Sequence, residues 1–220
     1  MIIAICPKHN SKGKKDVSGA FLPEAVAFVG LHGGKLFQFD NHAPPRIRAA
    51  AVEQAIWNMQ GAVDMVAIFC HGTKRGIQTG HSIRALGHLA EVIGMRSSPE
   101  HGPRVVLYCC DTARDADTDA KDDLEPGPGG EGGFADYLRD ELRDLGYSSG
   151  HIDAHTVVGH TTKAPYVRRF YVDETRSQLG GEWFVEPGSA HWKAWRRGLQ
   201  SDSGLRWRFP FAASYRNVLD

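Results

Sequence analysis

Two apolar runs dominate the hydrophobic pattern: Val66-Ala67-Ile68-Phe69-Cys70, ending in His71-Gly72, and Val105-Val106-Leu107-Tyr108, ending in Cys109-Cys110. Neither alternates with polar residues, which is how parallel strands buried on both faces read. The spacing predicts strands over Asp64 to Cys70 and Arg104 to Cys109. Helical spacing appears around them. Phe21 to Gly30 carries Leu22, Ala25, Val26 and Val29, and Pro44-Pro45 opens a segment running to Met59 with Ile47, Ala51, Ala55, Ile56 and Met59 on one face. Ser82 to Ile93 carries Ile83, Leu86, Leu89, Ala90 and Ile93, and Phe134 to Leu145 reads as a further helix. Shorter strands are predicted at residues 2 to 6, Lys35 to Phe39, Thr156 to His160, Arg169 to Val172 and Glu182 to Val185, the last two joined by a Gly180-Gly181 turn. A final helix is predicted from Ala190 to Leu199.

Strands alternating with helices argue for one α/β domain over 1–220, with a mainly parallel sheet covered on both faces. The chain has 220 residues, 41% of them hydrophobic, enough for a substantial core. Lysine plus arginine match aspartate plus glutamate at 26 each. No global field therefore favours nucleic acid or an anionic membrane. Met1 to Cys6 is apolar but has no basic segment before it, and no run approaches the ~18 to 20 apolar residues of a membrane helix. A cytoplasmic protein is expected. The stretch 111–133 departs from this pattern, with six Asp and two Glu among prolines and glycines, and predicts a long exposed loop.

Composition thus leaves a soluble enzyme open, and the ends of the two runs supply candidate chemistry. In an open α/β sheet, sites form at the carboxyl ends of the strands. Neighbouring parallel strands ending in His71 and Cys109-Cys110 would bring an imidazole and a thiol to one edge. A thiolate with an imidazole as acid and base is the equipment of a cysteine nucleophile. The four cysteines, at 6, 70, 109 and 110, suit free thiols better than a disulfide framework. Successive strand side chains face opposite sides, so only one of Cys109 and Cys110 can meet His71, and Cys70 should point away.

An apolar strand ending in His-Gly, then a helix, then an apolar strand ending in Cys, resembles the caspase-like cysteine peptidases, a group that includes caspases, metacaspases and bacterial CHAT proteases. Leu107-Tyr108-Cys109-Cys110-Asp111-Thr112-Ala113 looks most like the CHAT version, with a small residue before the cysteine and an acidic-Thr-small run after it. Pro165-Tyr166-Val167-Arg168-Arg169-Phe170 and Gly181-Glu182-Trp183-Phe184-Val185 resemble the substrate-pocket strand and the run after it. The resemblance covers roughly residues 60 to 186. It implies a three-layer α/β/α sandwich with a caspase-like sheet, Cys110 as nucleophile and His71 as acid and base. It also implies an oxyanion hole from the Gly72 and Cys110 amides, and a thioester intermediate. Tyr166, Val167, Arg168, Arg169, Phe170 and Trp183 would contact a protein or peptide substrate. The arginine that binds an acidic P1 side chain in caspases falls on Phe170 here, and Asp111 or Asp173 would instead suit a basic P1 residue. A homodimer through the last strand or a regulatory protein partner is compatible with the family.

No cofactor is expected for thiol chemistry. The acidic stretch admits a connector, a self-cleavage site or a weak Ca²⁺ site, although its spacing is not that of an EF-hand. Two other classes compete. His9, Glu24 and His71 loosely resemble the ligands of zinc-dependent cell-wall amidases, and two imidazoles, a carboxylate and an open water position would make a hydrolytic centre. A caspase-like fold can also serve as a non-catalytic binding module.

Overall fold

The computed structural model describes residues 1–9, 21–114, 130–156, 166–173, 181–185, 190 and 193. Its elements are β1 (Ile2–Pro7), α1 (Phe21–His32), β2 (Lys35–Phe39), α2 (Pro45–Trp57), β3 (Met65–Phe69), β4 (Gly72–Thr73), β5 (Gly76–Ile77), α3 (Gly87–Arg96), β6 (Arg104–Tyr108), α4 (Phe134–Asp144), β7 (His151–His155), β8 (Val167–Tyr171) and β9 (Glu182–Val185). Seven strands form one sheet in the order β2-β1-β3-β6-β7-β8-β9, and β4 with β5 makes a separate two-stranded hairpin. The strands from β2 to β7 run parallel, while β8 and β9 are antiparallel. The protein is therefore mixed α/β with a mostly parallel sheet. No helix among the described residues is long and apolar enough to cross a membrane.

The direction of strand addition explains where the helices lie. From β1 the chain steps outward to β2, then crosses back past β1 to β3 and continues the other way through β6 and β7. Crossovers of one hand then place α1 on one face and α2, α3 and α4 on the opposite face. The apolar clusters divide accordingly. Ile3, Ile5, Val66, Ile68, Val105, Leu107, Ile152 and Ala154 pack with side chains of α2 to α4, whereas Ile2, Ala4, Met65, Ala67, Phe69, Val106 and Tyr108 pack with Phe21, Ala25 and Phe28 of α1. Strands β1 and β3 are buried throughout, as unbroken apolar runs require. Strand β2 is the exposed edge and alone carries Lys35 and Gln38 toward solvent among these three.

Several elements differ from the sequence pattern in instructive ways. Helix α1 buries Phe21, Glu24, Ala25 and Phe28, while Leu22 and Val26 are exposed. Two aromatic rings offer more apolar area than the Leu and Val stripe, so they set the face. In α2, Val52 and Ile56 are buried and Ile47 stands 59% exposed. Helix α3 begins at Gly87 rather than Ser82 because the backbone before it is engaged elsewhere: Ser82 bridges Gly76, and the Ile83 N–H donates to Arg75 O at 3.0 Å. Strand β7 occupies His151–His155, just before the Thr156 to His160 segment that the sequence predicts, of which all but Thr156 lies outside the described residues. Of the predicted last helix, Ala190 and Lys193 are helical and its remaining residues lie outside the described set.

Strand β7 escapes an apolar pattern because one of its faces is polar yet buried. Ile152 and Ala154 join the core, while His151, Asp153 and His155 are buried on the other face. Asp153 is fully buried and receives a bidentate pair from Arg169 of β8, Nε to Oδ1 at 2.8 Å and a terminal nitrogen to Oδ2 at 2.9 Å. The two residues are register partners across the β7–β8 pair. Such a fork satisfies most of the carboxylate's acceptor capacity, which is what makes its burial tolerable.

The two faces of α2 give a direct test of its rotation: Val52→Ala should cost about 1 to 3 kcal/mol of unfolding free energy in urea, and Ile47→Ala less than about 0.5 kcal/mol. A second expectation concerns acid. Burial pushes the His151 imidazole down to about 4, against the opposing pull of Asp153. The native state then binds fewer protons than the unfolded chain between pH 6.5 and about 4, so stability falls as pH drops through that window. The contribution is on the order of 3 kcal/mol. Urea unfolding at pH 7 and pH 4.5 should show a smaller loss in His151→Leu than in the wild type; an equal loss would remove His151 as the cause.

Candidate active site

Strands β3 and β6 are neighbours, with Val66 opposite Val105 and Phe69 opposite Tyr108. The pairing continues beyond the strands, since the Cys70 N–H donates to Tyr108 O at 3.3 Å. Alternation then separates the residues that follow. Cys70 and Cys109 turn into the larger apolar cluster, fully buried, with their sulfurs 3.6 Å apart. His71 is exposed and Cys110 half-buried. Burial raises the Cys109 thiol well above its ordinary range, and Cys6 is pushed up to about 12 for the same reason. A thiol held protonated in the core is a poor nucleophile.

Gly72 presses the two strand ends together. A Cβ added there would sit 2.7 Å from Cys109 Cβ, 2.8 Å from Cys110 O and 3.0 Å from Thr112 Cγ2. Any side chain would force the backbone of the His71-Gly72 end away from the cysteine turn. His71 itself heads the β4–β5 hairpin: its carbonyl accepts from the Gln78 N–H at 2.8 Å, and its ring meets Phe21 edge-on at 4.9 Å. The start of α1 thus borders the histidine.

Cys110 lies in the turn that follows the end of β6. The turn is tightly determined. Asp111 adopts φ 56°, a conformation seldom taken by residues with a Cβ, and its carboxylate pairs with Arg114 at 3.4 Å. Thr112 Oγ1 donates to Cys109 O at 3.1 Å, and the Arg114 N–H donates to Asp111 O at 3.0 Å. Two further bonds fix the turn to its surroundings: Ala113 N–H to His155 O at 2.8 Å, and Ala135 N–H of α4 to Thr112 O at 2.9 Å. A residue held in a sparsely populated region by this many neighbours is a feature that active sites often show.

The predicted acidic loop is closed at its base beside this turn. A Cβ on Gly133 would lie 2.3 Å from Arg114 O, so the two ends of the excursion touch. Gly132 N–H donates to Asp136 Oδ2 at 2.9 Å, and Asp136 pairs with Arg139. Residues 115–129 lie outside the described set, and with them most of the acidic stretch considered for self-cleavage or Ca²⁺.

The proposed pocket strand is largely committed to structure. Phe170 is fully buried in the larger apolar cluster, which removes its side chain from any substrate cleft. Arg169 is held by Asp153, and Arg168 is buried with a terminal nitrogen donating to Gly181 O at 3.0 Å. Asp111 is engaged by Arg114, as described, and Val167 packs in the α1-side cluster. Tyr166 is half-buried and its carbonyl accepts from the Thr156 N–H at 3.4 Å. Trp183 pairs with Arg168 through the β8–β9 register, and its side chain lies outside the described set.

One residue that the sequence pattern did not single out belongs here. His155, at the end of β7, is buried, its Nδ1 is 3.2 Å from Tyr166 O, and its ring meets Tyr108 edge-on at 5.3 Å. With its carbonyl on Ala113, it links the cysteine turn to the start of β8. A histidine in a polar-looking segment gave no periodic signal. The alternative metal set fares differently. Among the described residues, His9, Glu24 and His71 do not converge; the group close enough to hold a metal ion is His9 with Asp40 and His42.

No protein-family model matches the chain, and a search of the curated proteins finds no match. Gly72→Ala offers the local test: it should lower the melting temperature by several degrees and abolish any activity that depends on Cys110, whereas Gly30→Ala, with open space around it, should raise or preserve stability.

Proposed function

We propose that the chain is a cysteine endopeptidase of the caspase-like kind, with His71 and Cys110 as its catalytic dyad. The observation that carries this reading is the contact of the Gly72 backbone with Cys109 and Cys110, which packs the His-Gly end of β3 against the cysteine turn of β6. A thiol that is half-buried sits next in sequence to one sealed in the core, and only the first has access to a substrate. The sheet order, with antiparallel β8 and β9 beyond the parallel strands, suits the three-layer α/β/α arrangement that the sequence resemblance implies.

In this mechanism the Cys110 sulfur attacks the carbonyl carbon of the scissile bond. His71 takes up the thiol proton and returns it to the departing amine, leaving a thioester. Water then adds to the thioester, with His71 as base, and releases the acid. The amide N–H groups of Gly72 and Cys110 are the donors for the oxyanion, a role worth about 100 to 1,000-fold per donor. The strained, multiply bonded turn at Asp111 serves to hold the sulfur in place before substrate arrives. His155 acts as a positioning residue beneath it.

The substrate is a protein or peptide, and the mechanism asks for no cofactor. Strand β8 and the β9 segment with Trp183 form the groove edge in this proposal, through backbone and through Tyr166, while Phe170 supports from the core. Free cysteines at all four positions suit a reducing compartment, and so a cytoplasmic location. A partner copy or regulatory protein would act at the β9 edge of the sheet.

Cys110→Ala should abolish hydrolysis of a peptide library and labelling by thiol-reactive peptide inhibitors, and His71→Ala should lower the rate by about 1,000-fold or more. Cys109→Ala should retain turnover while losing about 1 to 2 kcal/mol of stability. The library should compare Asp, Glu, Arg, Lys and hydrophobic residues at P1, with and without Ca²⁺. Activity that survives Cys110→Ala would overturn the assignment, and absence of both cleavage and labelling in the wild type would favour the binding-module reading.

A further inference from the structure

We propose a second site, for a divalent transition-metal ion, at the carboxyl ends of β1 and β2, built from His9, Asp40 and His42. The two strands are parallel neighbours, with Pro7 opposite Phe39, and the Lys8 N–H donates to Phe39 O at 2.8 Å, which carries the register to the strand ends. Asn41 then grips the His9 peptide from both sides. Its Nδ2 donates to His9 O at 2.8 Å, and its Oδ1 accepts from the His9 N–H at 2.9 Å.

This clamp brings three ligating side chains into one group. The His9 and His42 rings stack with centroids 4.7 Å apart and 17° between their planes. Asp40 Oδ1 lies 3.7 Å from His9 Nε2 and accepts from the backbone N–H of His42 at 3.0 Å. One ligand atom from each residue lies within 4.8 Å of the other two. Around an ion at about 2.0 to 2.2 Å from each ligand, those atoms would need to close by roughly 1 Å, a movement within the reach of exposed side chains. The His9 and Asp40 side chains are 40% and 57% exposed, so rotamer change meets little packing.

The donor set decides the class of ion. Two imidazoles and a carboxylate suit Zn²⁺, Co²⁺, Ni²⁺ or Cu²⁺, whereas Ca²⁺ and Mg²⁺ require oxygen ligands in larger number. Water would complete the coordination. The site is separate from the cysteine turn in its residues and its strands. Its ligands also differ from the His9, Glu24 and His71 set that the sequence suggested, because the β1–β2 register presents His9 to the residues following β2. An ion there would fasten the exposed edge strand to its neighbour.

The test is titration of Zn²⁺ and Co²⁺ into the full chain carrying Cys110→Ala, so that the free thiol near His71 cannot contribute. One equivalent should bind, and His9→Ala, Asp40→Ala and His42→Ala should each weaken binding at least about ten-fold. Zinc should also raise the melting temperature of the parent and leave that of His42→Ala unchanged. All three variants should keep the parent's metal-free melting temperature, since the altered side chains are exposed. The proposal is overturned if the parent binds no stoichiometric metal, or if Asp40→Ala and His42→Ala bind it as tightly as the parent. Neither result depends on peptidase activity.

Discussion

The register between β3 and β6 is the constraint on which the rest of the candidate site depends. With Phe69 opposite Tyr108, every side chain of these two central strands is assigned a face, and so are the residues that leave them. A slip of one position would exchange the two sets. Cys109 would then be offered to solvent and Cys110 to the core. The slip is opposed by burial on both sides, because β3 and β6 present large apolar groups to each face: Ile68 and Leu107 toward α2 to α4, Phe69 and Tyr108 toward α1. Nothing in the cysteine pair itself distinguishes its two members. The strands before it do.

A row of rings transmits this order to the sheet edge. Phe28 of α1 meets Phe69 at 5.5 Å, Phe69 meets Tyr108 at 5.2 Å, and Tyr108 meets His155 at 5.3 Å. Strands β3, β6 and β7 contribute one member each, and Phe21 adds an edge-on contact to His71. The rings pack where the strands end, just below the residues with chemistry. From there backbone hydrogen bonds take over, through Ala113 to His155 and Ala135 to Thr112. The cysteine turn is consequently anchored to β7 and to α4 as well as to its own strand.

Much of the fold was legible because parallel strands buried on both faces announce themselves as apolar runs. β1, β3 and β6 were found within a residue or two at each end, and β2 and β9 at their observed bounds. The buried polar groups were missed for a common cause. Strand β7 balances a buried carboxylate with an arginine from β8, a pairing between residues 16 apart that no periodicity encodes. His81 is similar: buried, bonded to Thr79 Oγ1 at 2.7 Å and 3.1 Å from Glu53 of α2, it reads in sequence as an ordinary loop histidine. The helix faces failed for a different reason. Counting apolar positions equally favoured Leu22 and Val26, whereas the sheet selected the larger Phe21 and Phe28. For the candidate site, the strand ends at His71 and Cys110 were visible and the turn that orients them was not, since an αL aspartate and a glycine chosen for contact leave no pattern.

The commitment of charges around β8 bears on what substrate the proposed groove can take. An acidic P1 side chain calls for a guanidinium facing the cleft, and a basic one for a free carboxylate. Arg169 already makes a two-point pair with a fully buried Asp153, and breaking such a pair leaves an uncompensated charge at a cost of about 3 to 5 kcal/mol. Asp111 is tied to Arg114 within the turn that holds Cys110, so recruiting it to substrate would disturb that turn. Arg168 carries a different constraint: burial alone lowers the affinity of its guanidinium for the proton, and one terminal nitrogen is engaged by Gly181 O. A substrate carboxylate would be a charged acceptor, whereas Gly181 O is a neutral one. Arg169 is therefore fixed scaffold on this strand, and a charge-selective pocket in the proposed groove would have to draw on other groups.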